Sequence, residues 1–266
     1  MSIPNYEIVA IRYATVHRCA GENFLSADHP DAPMPLDYFV WVIRGQGEDI
    51  VVDTGFTEAV ARTRKRSYLH CPILALRQLG VDPEAVKHVV LTHLHYDHAG
   101  NLAQFPGATF HLQEAEVAYA TGRFMAHPPL QRGYDAEDIA LTVRWIHSGR
   151  VKFHDGTGDL RPGITLHRIG GHTLGMQVVR VRTARGWVVL ASDSTHFYDN
   201  LRQRNPFPVL HDVGATLQGY DCLEQLADSP DHIIPGHDPA VLKLYPQLPG
   251  LDFDAVRVDL APYTSN

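Results

Sequence analysis

Six consecutive residues, His93-Leu94-His95-Tyr96-Asp97-His98, put three imidazoles and one carboxylate on a single short stretch. Imidazole nitrogen and carboxylate oxygen are the donors that zinc and the other borderline divalent metals take. The apolar run His88–Leu91 just before them reads as a buried strand. If its extended geometry carries on, His93 and His95 point the same way, because side chains two apart share a face. A turn at Tyr96 then lets Asp97 and His98 face the same centre from the other side. Paired cysteines mark a structural zinc site, and none lie here, so the stretch suits a catalytic metal. The bland alternative, a histidine-rich polar loop, fits this pattern poorly.

Three further positions place a donor at a strand end. His172 follows Gly170-Gly171, Asp193 follows the strand Val188–Ala191, and His237 follows Ile233-Ile234-Pro235-Gly236. Glycines before His172 allow a close backbone approach or a positive φ. Each position is weak alone, since a lone His after Gly-Gly is usually a loop residue and a lone Asp often caps a helix. Together with His93, His95, Asp97 and His98 they make seven donors. One four- or five-coordinate ion needs fewer; two ions about 3.5–4 Å apart would use them all.

Positioning such a set needs a frame of strands. Strands are expected at 6–16, 38–43, 49–52, 88–91, 109–112, 151–153, 164–168, 177–182, 187–191 and 232–235. Helices are expected at 57–66, 73–79, 113–121, 136–146 and 213–226, with a helical turn begun by Asp82-Pro83-Glu84. Residues 20–37 and 122–134 read as loops, and the proline-containing tail 239–266 as a surface wrap. Strands interspersed with helices in two similar halves point to a layered α/β or α+β sandwich, one domain over 1–266 with an N-terminal strand and loop at 1–37.

Composition narrows the partners. The 266 residues are 44% hydrophobic and 20% charged, enough for a sizeable core. A formal net charge of −7 argues against nucleic acid or an anionic membrane. The basic run Arg62, Arg64, Lys65, Arg66 reads as a solvated helix face. Three scattered cysteines suggest no disulfide framework. With no signal-peptide pattern and no membrane-length apolar run, a cytoplasmic protein is expected. A second copy of the chain is a candidate partner, as a homodimer.

The motif His-x-His-x-Asp-His, followed at growing distance by His172, Asp193 and His237, resembles the metallo-β-lactamase superfamily over 38–238. The resemblance implies a four-layer αββα sandwich with two metals at one edge, between the sheets. It implies His93, His95 and His172 on one ion and Asp97, His98 and His237 on the other, with Asp193 bridging. Zinc comes first, with iron, manganese or cobalt as other candidates. Asp53, in Val-Val-Asp-Thr-Gly, stands where the family places a carboxylate that orients a ligand histidine.

Within the superfamily the chain is most similar to the N-acyl-homoserine lactonase group, which implies quorum-quenching chemistry: a binuclear hydrolase opening a lactone or related ester with hydroxide held between the ions. The alternatives are a glyoxalase II-type thioesterase and a persulfide dioxygenase-like oxidoreductase with one iron. Those lactonases carry a tyrosine three residues after the bridging Asp, where this chain has His196, with Tyr198 two further on. Asp97, His196 or Tyr198 is then expected to return the proton. Phe24, Met34, Leu36 and Phe207 are expected to offer an apolar wall to an acyl chain.

Overall fold

The hydrophobic alternation of the strands resolves into two sheets in a computed structural model, which describes residues 3–263. Strands β1 (Glu7–Val16), β2 (Leu36–Gly45), β3 (Glu48–Val52), β4 (Ser67–Tyr68), β5 (His88–Val90), β6 (Thr109–Gln113) and β7 (Val151–His154) belong to the first sheet. The second is made of β8 (Thr157–Arg161), β9 (Ile164–Arg168), β10 (Gln177–Thr183), β11 (Gly186–Ser192) and β12 (Ile233–Pro235). The last strand, β13 (Ala255–Arg257), returns to the first sheet, whose order is β13-β1-β2-β3-β5-β6-β7 with β4 on β1. The second sheet runs β12-β11-β10-β9-β8.

Which face each side chain takes follows from the period of two. Along β2, Phe39, Trp41 and Ile43 join the interior shared with Leu166, Val179, Val181, Val188 and Leu190 of the second sheet. Their neighbours Tyr38, Val40 and Val42 pack outward with Ile73, Leu76 and Phe110. On the far side, Val178, Val189 and Ala191 pack against Tyr220 and Leu223 of the helix Val213–Leu226. Both faces of both sheets are therefore covered, giving four layers, helix–sheet–sheet–helix.

Strands β3, β5, β6 and β7 pair in parallel, so each connection must cross over. Helices Glu58–Arg64 and Pro72–Gln78 lie between β3 and β5, and Glu114–Ala120 and Ala136–His147 between β6 and β7. Thr57, Asp135 and Asp212 cap helices by accepting from Val60, Glu137 and Ala215 N–H groups. β11 and β12 are also parallel. The carboxyl ends of β3, β5, β11 and β12 open on one edge, the place where such sheets bind ligands.

The structure departs from the sequence-based expectations in places where local signals are weak. The tail does more than wrap the surface: Ala240–Leu244 is helical, β13 pairs antiparallel with β1, and Val256 and Val258 are buried between the sheets. Three residues among prolines carry too short an alternation to read. Strand β8 and the helix Tyr198–Arg202 were missed for the same reason. Loop 122–134 contains the short helices Arg123–Ala126 and Pro128–Gln131, and loop 20–37 the turn Ala20–Glu22. No helix among the described residues is long and apolar enough to cross a membrane.

Candidate metal centre

Each donor hangs from the carboxyl end of a strand. Strand β5 stops at Val90, the chain bends at Thr92, and His95, extended and bridged to Tyr134, leads into the helix Tyr96–Ala99. That sharp change from extended to helical backbone turns Asp97 and His98 back toward His93 and His95. His172 follows two glycines with φ of +74° and +85°. A Cβ at Gly171 would meet Thr216 backbone and side chain at 2.5–2.7 Å, so the close approach expected there is real. Asp193 follows β11 and His237 follows β12. Ser192 and Asp53, at φ +44° and +59°, are non-glycine residues in the left-handed region, both at this edge.

The two oxygens of Asp193 divide the donors. Oδ2 lies 3.3 Å from His172 Nε2 and 3.9 Å from His93 Nε2, and Oδ1 lies 3.2 Å from His98 Nε2 and 3.0 Å from His237 Nε2. His95 Nδ1 is 3.0 Å from His172 Nε2. Asp97 Oδ2 is 3.6 Å from His98 Nε2 and 3.8 Å from His237 Nε2. One cluster is thus His93, His95, His172 and Asp193; another is Asp97, His98 and His237; their donor atoms lie within 4.8 Å of one another in each. All seven side chains are buried.

The outward nitrogens of His98 and His237 are anchored, whereas His172 Nδ1 is buried with no hydrogen-bond partner. His98 Nδ1–H donates to Asp53 Oδ2 at 2.7 Å, and His237 Nδ1–H to the Asp37 carbonyl at 2.7 Å. Thr92 Oγ1 donates to Asp53 Oδ2 at 2.8 Å and faces His93 Nδ1 at 3.2 Å. Such partners fix the tautomer and leave Nε2 as an inward lone pair. His93 Nε2 and His98 Nε2 are buried with no hydrogen-bond partner. Burial drives the pKa of His93 and His95 well below the usual range and that of His172 to about 3, so all three are neutral at pH 7. His98 is pushed the other way: desolvation is outweighed by Asp193, Asp53 and Asp97. Three neutral imidazoles and the orphaned Nε2 atoms of His93 and His98 around two carboxylates fit divalent cations, which would supply the positive charge that those carboxylates otherwise draw as a proton onto His98 and His237.

A cavity of about 340 Å³ opens on this edge. Leu36 and Phe207 line it, as do Asp97 and His196. Phe24 and Met34 do not; Phe24 is buried, and Met34 packs against the outer core cluster. Tyr198 is also elsewhere, buried with Val241 and Tyr245 between the sheets, so its hydroxyl does not serve the cavity. Its position at the first turn of the helix Tyr198–Arg202 turns it away. His196 stacks on Phe207 at 3.7 Å and 7°, and its Nε2 lies 3.0 Å from Asp193 Oδ2. Its nitrogen is therefore within ligand reach of Asp193 and His237. Burial lowers its pKa to about 4.

Sequence reasoning missed three contributors. Tyr38 lines the cavity edge-on to His237, and its hydroxyl is 3.2 Å from that of Tyr96, which accepts from Arg66 Nε at 3.1 Å. Glu116 is fully buried and accepts from Leu94 N (3.0 Å), Tyr134 Oη (2.9 Å), Thr173 Oγ1 (2.6 Å) and Gly175 N (3.2 Å). It ties the His93–His98 loop to the His172 loop. On a short helix beside exposed Glu114, nothing in the sequence marks it. Arg18, Arg64 and Arg66 also line the cavity, although the last two read as a solvated face.

Comparison with known proteins shows what the chain is similar to. The chain is 28% identical over 179 residues to the N-acyl homoserine lactonase AttM of Rhizobium johnstonii, covering 65% of this chain and 66% of that protein. The chain thus spans about two thirds of that relative's length. A crystal structure described as a quorum-quenching N-acyl homoserine lactone lactonase superposes with a TM-score of 0.76 at 21% identity, covering 90% of this chain and 95% of the other. Another, AidC, described as a dizinc quorum-quenching lactonase with bound product, gives 0.71 at 16% identity, covering 100% and 97%. The model of the metallo-beta-lactamase superfamily matches residues 34–237, and the chain belongs to that superfamily.

Proposed function

We propose that this chain is a metal-dependent hydrolase that opens a lactone or related carboxylic ester, with two divalent cations, zinc first among them, held by the seven donors. The observation that carries the reading is the division of Asp193: one oxygen faces His93 and His172, the other His98 and His237. A carboxylate shared in this way suits two ions on opposite sides of it. When bound, such ions supply hydroxide near pH 7 and polarise a carbonyl.

The chain's own residues do the rest. Burial holds the Tyr38 phenol well above its usual range, so it stays protonated. Arg66 donates to the Tyr96 oxygen, and the Tyr96 and Tyr38 hydroxyls lie 3.2 Å apart, a chain that holds the Tyr38 hydroxyl at the cavity. In our reading Tyr38 holds the substrate carbonyl. His196 directs its Nε2 at Asp193 and offers Phe207 a flat partner, which suits positioning. Asp97 lines the cavity and is the group placed to return a proton to the leaving oxygen.

The name of the related AttM supports a lactone over a thioester. Proton release followed in a pH-stat, with zinc-loaded protein and a panel of lactones, thioesters, β-lactams and phosphodiesters, tests it. Fastest turnover of a lactone is expected; turnover of another class with none of any lactone would overturn it.

A further inference from the structure

The cavity wall carries four arginines beside the carboxylates of Glu22, Asp97 and Asp193. Arg18, Arg64 and Arg66 line it half-buried, and Arg132 stands exposed among the lining residues. Many arginines elsewhere meet carboxylates, as Arg44 does Asp49 at 2.7 Å and Arg204 does Asp221 and Glu224 at 2.8 Å, while others such as Arg150 and Arg180 donate to backbone carbonyls. Among the described residues none of the four cavity arginines has a carboxylate within 4.0 Å. Their partners are neutral. Arg64 lies 3.8 Å over the Tyr96 ring and donates to the Arg132 and Tyr134 carbonyls at 2.8 and 3.1 Å. Arg66 donates to the Arg64 carbonyl at 2.8 Å besides Tyr96. Arg18 sits 4.9 Å over Phe207 and donates to the Glu22 carbonyl.

These contacts aim the guanidinium groups without neutralising them. Carboxylates act on them only from further off: Glu22 on Arg18, Asp97 on Arg66, and Asp138 on Arg64. Burial lowers the Arg18 pKa, and its Nε is buried without a partner. A desolvated cation lacking a counter-ion is costly unless something else supplies the charge. In a chain of net charge −7, this concentration of unpaired cations at one cavity calls for an anionic guest. The reach is short. Arg18 covers Phe207, which stacks on His196, whose Nε2 is 3.0 Å from Asp193. Two stacked rings, Phe207 and His196, separate the charge from Asp193.

We propose that the substrate is a compact ester or lactone carrying its own carboxylate, which Arg18 and Arg66 pair while the scissile carbonyl sits beside Asp193. The planar guanidinium fork matches a carboxylate, and a long aliphatic chain would gain nothing from it. This substrate class rests on the hydrolase reading above.

The test compares a γ-lactone bearing a ring carboxylate with its neutral carboxamide, using zinc-loaded protein, and measures succinate and succinamate binding by calorimetry. For the carboxylate lactone, kcat/KM is expected at least about tenfold above the amide and falling with added salt. Arg18→Gln and, separately, Arg66→Gln should erase most of that preference through KM; the second variant covers misfolding of the first. Equal turnover of both lactones would overturn the anionic substrate while leaving the hydrolase reading intact. Turnover of neither would overturn the lactone reading, and binding then decides the wall alone. Succinate about tenfold tighter than succinamate, with the difference lost in both variants, supports it. Equal binding refutes it.

Discussion

Replacing Glu116 by glutamine tests whether one buried carboxylate holds the two histidine loops together. Its oxygens accept two backbone N–H groups, of Leu94 and Gly175, and two hydroxyls, of Tyr134 and Thr173. An amide keeps the shape but turns one acceptor into an NH2. Whichever way it lies, one hydroxyl and one backbone N–H then face a donor. The hydroxyl can rotate; the N–H cannot, and a buried unsatisfied donor costs about 1–3 kcal/mol. Loss of charge assistance at the remaining bonds adds to this, while relief from burying a charge offsets part. A net loss of about 2–3 kcal/mol corresponds to a fall in Tm of roughly 4–6 °C for a chain of this size. Because Leu94 lies between His93 and His95, and Thr173 follows His172, zinc affinity should fall about tenfold or more. Thermal melts with and without chelator, and zinc competition against a chromophoric chelator, give both numbers. Glu114→Gln, exposed on the same helix, is the control and should shift Tm by less than about 1 °C. A Glu116→Gln protein that matches the control in both assays would refute the role.

Three other outcomes follow from the same geometry. Asp53→Asn keeps a residue that tolerates positive φ but weakens the acceptor on His98 Nδ1, so one of two zinc ions should bind about 10–100-fold more weakly in a titration. Two unchanged binding steps would contradict that. Tyr38→Phe removes the cavity hydroxyl and should lower kcat by about a hundredfold with KM little changed; a pure KM effect would assign Tyr38 to binding alone. Burial, together with Asp135, raises Asp138 to about 7 from an ordinary 3.8. The folded state therefore takes up a proton that the unfolded chain does not as pH falls from about 7 toward 4, and stability rises along that window. Asp138→Asn should raise Tm at pH 8 and lose that gain near pH 4; a constant difference across pH would refute the shift.

The chemistry was legible because ligand spacing is local. His93 to His98 announce themselves, and glycines before His172 and apolar strands before Asp193 and His237 point to turns at sheet ends. Helix Val213–Leu226 was readable to the residue, its cap at Asp212 and apolar face being intact over four turns. What escaped depends on long-range contact. Glu116 and Tyr38 look like any helix glutamate and strand tyrosine until the loops close over them. Histidine by itself is no guide to the site. His88, His111 and His154 hydrogen-bond in a row across β5, β6 and β7 at 2.9 and 3.1 Å, outside both donor clusters. The basic run from Arg62 to Arg66 read as solvated because its periodicity cannot tell that Arg64 and Arg66 bend over Tyr96. Tyr198 was singled out by sequence distance from Asp193, and the helix starting there reversed its direction.

Metal content per chain in the active protein tests the two-ion centre most directly. Elemental analysis after exhaustive dialysis should give two divalent ions of the zinc type per chain, falling with Asp193→Asn in parallel with lactone turnover. One iron per chain, with turnover that requires oxygen, would contradict it.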